Sequence, residues 1–233
     1  MLQNRPYSPV DGTWVKDDFV GNDAVADATV GEMRWEIVTI GNASTIALVT
    51  GQLTGVLRDT TAATANGDGE VYRTFTDGLA LGHGGGGFAA RVRLGTQLAG
   101  HNFRIGIDDS VTATDPTVGI WVRSDAGVLS VEADSNTHGD NNASAAGGTT
   151  LTGGTTMVLN TWHDILVTWS GSNGNLGPRW VELWVDGEKV ASCFCNIGHE
   201  ETAELKIVHW QDSGGALAVA MDIDYYEFWQ FRE

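Results

Sequence analysis

Residues 179–188 read RWVELWVDGE. In an extended chain Val181, Leu183 and Val185 point to one side and Trp180, Glu182 and Trp184 to the other, the period of two that marks a half-buried strand. An Asp-Gly pair follows at 186–187, the dipeptide best suited to a tight two-residue hairpin turn. Residues 188–194 can then return alongside the first strand.

The same pattern extends through most of the chain. In FAARVRLG (88–95), Phe88, Ala90, Val92 and Leu94 share one face, with Arg91 and Arg93 opposite. Further strands are predicted in DDFV, MRWEIV, TGVLRD, EVYRTF, NFRIGI, VGIWVRS, GVLSVEA, TMVLN, HDILVTWS, KVASCFCN and AELKIVHW. Turn signals separate them at NGDGE (66–70), GHGGGG (82–87), SDAG (124–127) and SGSNGNLGP (170–178). A 3.6-residue period hardly appears. A dozen or more short strands without intervening helices imply an all-β, two-sheet antiparallel jelly-roll sandwich. Two segments stand outside this pattern. Residues 1–15, with Pro6 and Pro9, read as an extended N-terminal arm. Residues 133–154, ADSNTHGDNNASAAGGTTLTGG, read as a long polar loop. No repeat or linker divides the remainder, so the expected organisation is an arm at 1–15 and one domain at 16–233.

A chain of 233 residues can bury a core without disulfides or metals. Its 31 glycines and 4 prolines favour turns between strands. With 30 acidic and 13 basic residues the formal net charge is -17, which disfavours nucleic acid and anionic membranes as partners. No run of 18 apolar residues occurs, and MLQNRPYSPVDG lacks the pattern of a secretory leader, so assembly in a cytosol is expected. Cys193 and Cys195, on one face of a strand and about 6–7 Å apart, are poorly placed for a disulfide and are expected as free thiols.

Taken in order, WVKDDFVGN, MRWEIVT, TGVLRDTT, FAARVRL, FRIGIDD, VGIWVRS, TWHDILVTWSG, VELWVDGEKVAS and MDIDYYEFWQF resemble one family. It is the concanavalin A-like lectin/glucanase jelly roll, in the version carried by structural proteins of tailed-bacteriophage virions. The middle also resembles laminin G-like modules, in which a W-H strand precedes a V-D-G hairpin. The resemblance covers residues 14–233. It implies a virion structural protein assembled in the host cytoplasm, foremost a capsid decoration protein that binds the major capsid protein. A homo-oligomer is expected, with a trimer preferred because such proteins often sit at threefold positions. The arm would anchor it through Leu2, Pro6, Tyr7, Pro9 and Val10. The alternative is a lectin-like module on tail or capsid that binds host-surface glycan.

Three groups of residues bear on chemistry. Asp222, Asp224 and Glu227 form D-x-D-x-x-E, similar to the E-x-D-x-x-E of β-sandwich glucanases. In those enzymes, however, the motif lies in mid-domain, whereas here it falls in the closing strand. Five residues of regular strand would also set Asp222 and Glu227 on opposite faces. This argues against a catalytic set, so the expectation is a protein that is not an enzyme, without catalytic residues. Trp180, Glu182 and Trp184, with Trp162 and Trp169 nearby in sequence, could stack on sugar rings or pack against another subunit. Asp108 with Asp109, and Asp140 with Asn141 and Asn142, offer oxygens but not the calcium-loop order. GHGGGG lacks the lysine of a phosphate loop, and His163 has no nucleophile motif to serve. No metal or cofactor is expected.

Overall fold

The alternation read in residues 88–95 is realised in β8 (Gly86–Gly95), where Phe88, Ala90, Val92 and Leu94 are fully buried and Arg91 and Arg93 are half-exposed. This strand lies at the middle of a computed structural model that describes residues 12–19, 29–30, 35–41, 45–49, 55–61, 67–73, 79–80, 84–110, 116–134, 155–171, 180–194, 202–212 and 217–231. Among the described residues the other strands are β1 (Gly12–Asp17), β2 (Thr29–Val30), β3 (Trp35–Gly41), β4 (Thr45–Leu48), β5 (Leu57–Thr60), β6 (Gly67–Arg73) and β7 (Leu79–Ala80). They continue with β9 (His101–Asp108), β10 (Gly119–Asp125), β11 (Val128–Asp134), β12 (Trp162–Trp169), β13 (Trp180–Val185), β14 (Glu188–Phe194), β15 (Thr202–Gln211) and β16 (Ala220–Phe231).

They form two antiparallel sheets. Sheet A runs β14-β13-β12-β8-β16-β5-β4, and β1 continues the β5 side of β16 by pairing with its second half. Sheet B runs β11-β10-β9-β15-β6-β3-β2, with β7 against the start of β15. This is the expected jelly-roll sandwich. Asp186 and Gly187 adopt positive φ (52° and 86°) between β13 and β14, the turn that the Asp-Gly pair foretells. Ala126 and Gly127 do the same between β10 and β11.

Three local readings change. NGDGE, predicted as a turn, runs into strand from Gly67 onward and pairs with both β3 and β15, so neighbouring strands outweigh its glycine-rich composition. TMVLN makes only a single bridge, Thr156 to Val128. Residues 12–15, assigned to the arm on sequence, belong to β1, and Val15 packs on the core. The proposed anchor residues Leu2, Pro6, Tyr7, Pro9 and Val10 lie outside the described residues.

Between the sheets, Phe88, Tyr226 and Phe228 of sheet A meet Phe103, Ile105 and Leu205 of sheet B. Burying an apolar side chain of this size is worth roughly 1.5–3 kcal/mol. Tyr226 lies parallel to Phe88 (8°) and edge-on to Trp35, and its hydroxyl crosses the sandwich to donate to the Gly106 carbonyl at 3.1 Å. A second tie comes from Asp17 at the end of β1. Its carboxylate accepts the Trp35 indole N–H of sheet B at 2.9 Å and the Phe19 amide at 2.7 Å. The second bond holds Phe19 in the left-handed region, with φ 54°.

One end of the interior is polar. Asp59, Thr61, His101, His209 and Gln211 all point inward and all are buried. His101 Nδ1 lies 2.9 Å from the Gln97 carbonyl, which can only accept, so Nδ1 carries the proton. His101 Nε2 is thereby left to accept from His209 Nε2, also at 2.9 Å. His209 Nδ1 then faces Asp59 Oδ2 at 3.3 Å, a contact without hydrogen-bond geometry.

Candidate functional site

The outer face of sheet A gathers side chains suited to recognition. It takes Trp180, Glu182 and Trp184 from β13, Trp162 and Asp164 from β12, Arg91 and Arg93 from β8, and Trp14 and Lys16 from β1. From β16 come Asp222, Asp224, Tyr225, Glu227 and Trp229. The floor is low because β8 contributes Gly87 and Ala89. At Gly87 a Cβ atom would lie 2.4 Å from Cζ2 of Trp229, so only glycine lets that ring lie across the strand. Trp14 and Trp180 are 53% and 55% exposed, an uncommon state for tryptophan.

Ion pairs thread between the rings. Asp222 accepts from Arg58 Nε at 2.6 Å and Nη2 at 2.9 Å, and from Arg93 Nε at 3.0 Å and Nη2 at 2.5 Å. Burial alone would raise the Asp222 carboxyl, but the hydrogen bonds from the two arginines outweigh it and hold the group below the usual carboxylate range. Arg91 pairs with Asp224 at 3.3 Å, and Trp162 lies under the guanidinium groups of Arg91 (5.5 Å) and Arg93 (4.7 Å). Lys189 pairs with Glu182, and the Trp14 indole donates to Glu227 at 2.7 Å.

Asp222 and Glu227, expected on opposite faces of the strand, share one face. β16 carries a bulge: Ile223 stands opposite Val92 and Tyr225 opposite Arg91, leaving Asp224 as an extra residue. The bulge resets the alternation. Ile223 and Tyr226 both point inward, while Asp222, Asp224 and Glu227 all project from the outer face.

Other sequence candidates separate. Trp169 is inside the core against Phe88 and Phe228, on the opposite face from Trp162. His163 uses both ring nitrogens, Nδ1 on Asp186 at 2.7 Å and Nε2 accepting the Val158 amide at 3.0 Å, and so braces the β13–β14 turn. Asp109 closes its loop on Thr117 and Val118, while Asp108 pairs with Arg104 at 2.9 Å. Asp140, Asn141 and Asn142 lie outside the described residues, among which no cluster of metal-ligating side chains occurs. GHGGGG leads into β8, where Gly86 gives the room Trp169 needs. Cys193 is a buried free thiol that burial pushes up to about 12; Cys195 lies outside the described residues.

Sequence reasoning missed a second polar set, on the outer face of sheet B. Arg104 and Lys206 are buried there beside Asp108, Trp121 donates to Glu132 at 2.9 Å, and Arg123 lies over Trp210 at 5.8 Å. Arg104 and Asp108 alternate with the core residues Phe103, Ile105 and Ile107, so an inverted pattern was the available signal.

The sequence matches no protein-family model and no curated protein. Comparison of structures gives clear relatives in fold. The carbohydrate recognition domain of Emp47p superposes with a TM-score of 0.59 at 11% identity, over 97% of this chain and 99% of that one. An endo-β-1,4-glucuronan lyase from Trichoderma reesei gives 0.55 at 14%, over 94% and 95%. A carbohydrate esterase from the Shiga toxin-encoding bacteriophage phi24B gives 0.53 at 14%, over 94% and 99%. The fold is the concanavalin A-like lectin/glucanase jelly roll. The neighbours also correct the expectation of a protein that is not an enzyme. The same sandwich, over nearly its whole length, serves a lyase and an esterase, and the bulge removes the geometric argument on which that expectation rested.

Proposed function

We propose that this chain is a carbohydrate-binding jelly-roll module whose binding surface is the outer face of sheet A. The observation that carries the reading is the set of aromatic rings on that face, Trp14, Trp162, Trp180, Trp184, Tyr225 and Trp229, interleaved with charged side chains. Sugar rings present flat C–H faces to aromatic rings and hydroxyl edges to carboxylates and guanidinium groups, so this mixture fits them. An aromatic patch of this kind is seldom left bare without a binding role. Three of the fold neighbours carry carbohydrate recognition or chemistry in their names, which supports the reading. The test is titration of the whole chain with neutral and acidic oligosaccharides, followed by tryptophan emission. Trp184→Ala should weaken binding about tenfold or more while leaving the melting temperature within about 2 °C. Unchanged affinity in Trp184→Ala and Trp14→Ala alike would refute the placement.

A second reading concerns where the module works. The ordered resemblance to tailed-phage virion proteins, together with the phage esterase neighbour, favours a virion setting. There the chain would be a structural protein, such as a capsid decoration protein held on the major capsid protein through the residues that precede β1 and self-associated as a trimer. Mass spectrometry of purified particles tests this; absence of the chain from them would rule it out.

A further inference from the structure

Within the carbohydrate-binding face, and resting on that reading, we propose that Arg58 and Arg93 form a subsite for an anionic group on the sugar, a carboxylate or a sulfate ester. Arg58 on β5 and Arg93 on β8 flank β16 from either side, so their strands stand about 10 Å apart. Both side chains lean over β16 and meet above Asp222, each binding it through Nε and Nη2. Among the described residues Asp222, only 5% exposed, is the one carboxylate between them, so this group of three side chains carries one surplus positive charge. Arg58 remains 43% exposed, and the Nη1 groups of both arginines have no partner among the described residues.

The outward edge of this pair offers N–H donors with a fixed direction, the geometry with which guanidinium groups hold carboxylates and sulfates. Asp222 orients both forks, and the Trp162 ring beneath Arg93 sets the plane of the second. Arg91, the next cation on β8, differs in being matched by Asp224 and, at 3.7 Å, by Asp164. The local surplus stands against a net charge of -17. At physiological ionic strength charges more than about 8 Å away are largely screened, so an arriving anion responds to the two arginines and to the neighbouring Arg91, Asp224 and Asp164 rather than to the net charge of the chain. From Arg93 the outer face continues along β8 to Ala89, about 13 Å away, and on to Trp229. A chain of several sugars can therefore place one anionic ring at the arginines and others on the aromatic rings.

The experiment compares three oligosaccharides of one length and linkage by calorimetry on the whole chain: neutral glucose, glucuronic acid, and sulfated glucose. The wild type should bind at least one anionic oligomer about tenfold tighter than the neutral one. Whichever shows the preference identifies carboxylate or sulfate as the source. Arg58→Gln leaves Asp222 paired with Arg93 and should bring the ratio of anionic to neutral affinity to about one, with near-ultraviolet circular dichroism showing the sandwich still folded. Arg58→Lys, which keeps charge but loses the fork, should fall between. Equal affinity for neutral and anionic oligomers in the wild type, or an undiminished preference in Arg58→Gln, overturns the subsite while leaving the carbohydrate reading intact. No binding of any of the three oligomers overturns both.

Discussion

Acid should destabilise this sandwich from within, through His101. The imidazole is buried, its Nδ1 is committed to the Gln97 carbonyl, and its Nε2 accepts from His209. Burial, with help from His209, lowers it from 6.5 to about 3. In the unfolded chain the same group takes up a proton as the pH falls through 6.5. Between 6.5 and about 3 the unfolded state therefore holds the extra proton, and stability declines as the pH falls. At 1.36 kcal/mol per unit, this one group should cost about 3 kcal/mol at pH 4 relative to neutral pH. Urea unfolding followed by tryptophan emission, at steps from pH 7.5 to 4, measures the effect. His101→Gln keeps an acceptor for His209 but cannot titrate. The variant should be less stable at pH 7, by roughly 1–3 kcal/mol, and should lose stability less steeply in acid. Subtracting the two curves isolates His101 from the carboxylates. A constant difference between wild type and variant from pH 6.5 to 4 would refute the argument, as would an NMR titration of folded His101 near pH 6.5.

Other perturbations test the packing. Asp17→Ala strands the Trp35 indole and the Phe19 amide together, and chemical denaturation should show a loss of about 2–4 kcal/mol. Tyr226→Phe removes only the donor to the Gly106 carbonyl, so the expected loss is nearer 1 kcal/mol, with near-ultraviolet circular dichroism preserved. Gly106→Ala would set a Cβ atom 2.3 Å from the Ile120 carbonyl and 2.8 Å from Trp121 Cβ. It should therefore destabilise more than Tyr226→Phe, and a melting temperature equal to that of the wild type would contradict the register of β9 against β10.

What could be read from the sequence followed from local alternation. β8 and β13 show their buried and exposed faces directly, and the Asp-Gly turn fixes the β13–β14 hairpin, because each depends on neighbours in sequence. Trp162 and Trp169 are near each other in sequence, yet seven residues of regular strand put them on opposite faces, which counting along β12 shows. The bulge at Asp224 was hidden: IDYYEF supports either phase of the alternation, and only pairing with β8 selects one. The arginine pair was out of reach altogether. Arg58 and Asp222 are 164 residues apart and meet because β5 shares β16 with β8. The virion and capsid-decoration assignments came from resemblance and had no counterpart in local alternation.

The topology has a consequence for how such a chain is made. β15 separates β9 from β6, and β16 separates β8 from β5 and β1, so the last two described strands of the sandwich complete the middles of the two sheets. While a ribosome is still extending the chain, neither half of either sheet can join its counterpart, and several strand edges wait with unpaired backbone groups. Folding of the sandwich then waits until β16 has been made, is dominated by pairings distant in sequence, and is slow by the standards of helical proteins. During that wait the open edges invite pairing with other nascent chains. Yield in the cell should thus depend on synthesis rate and on chaperone supply more strongly than the stability of the finished sandwich suggests.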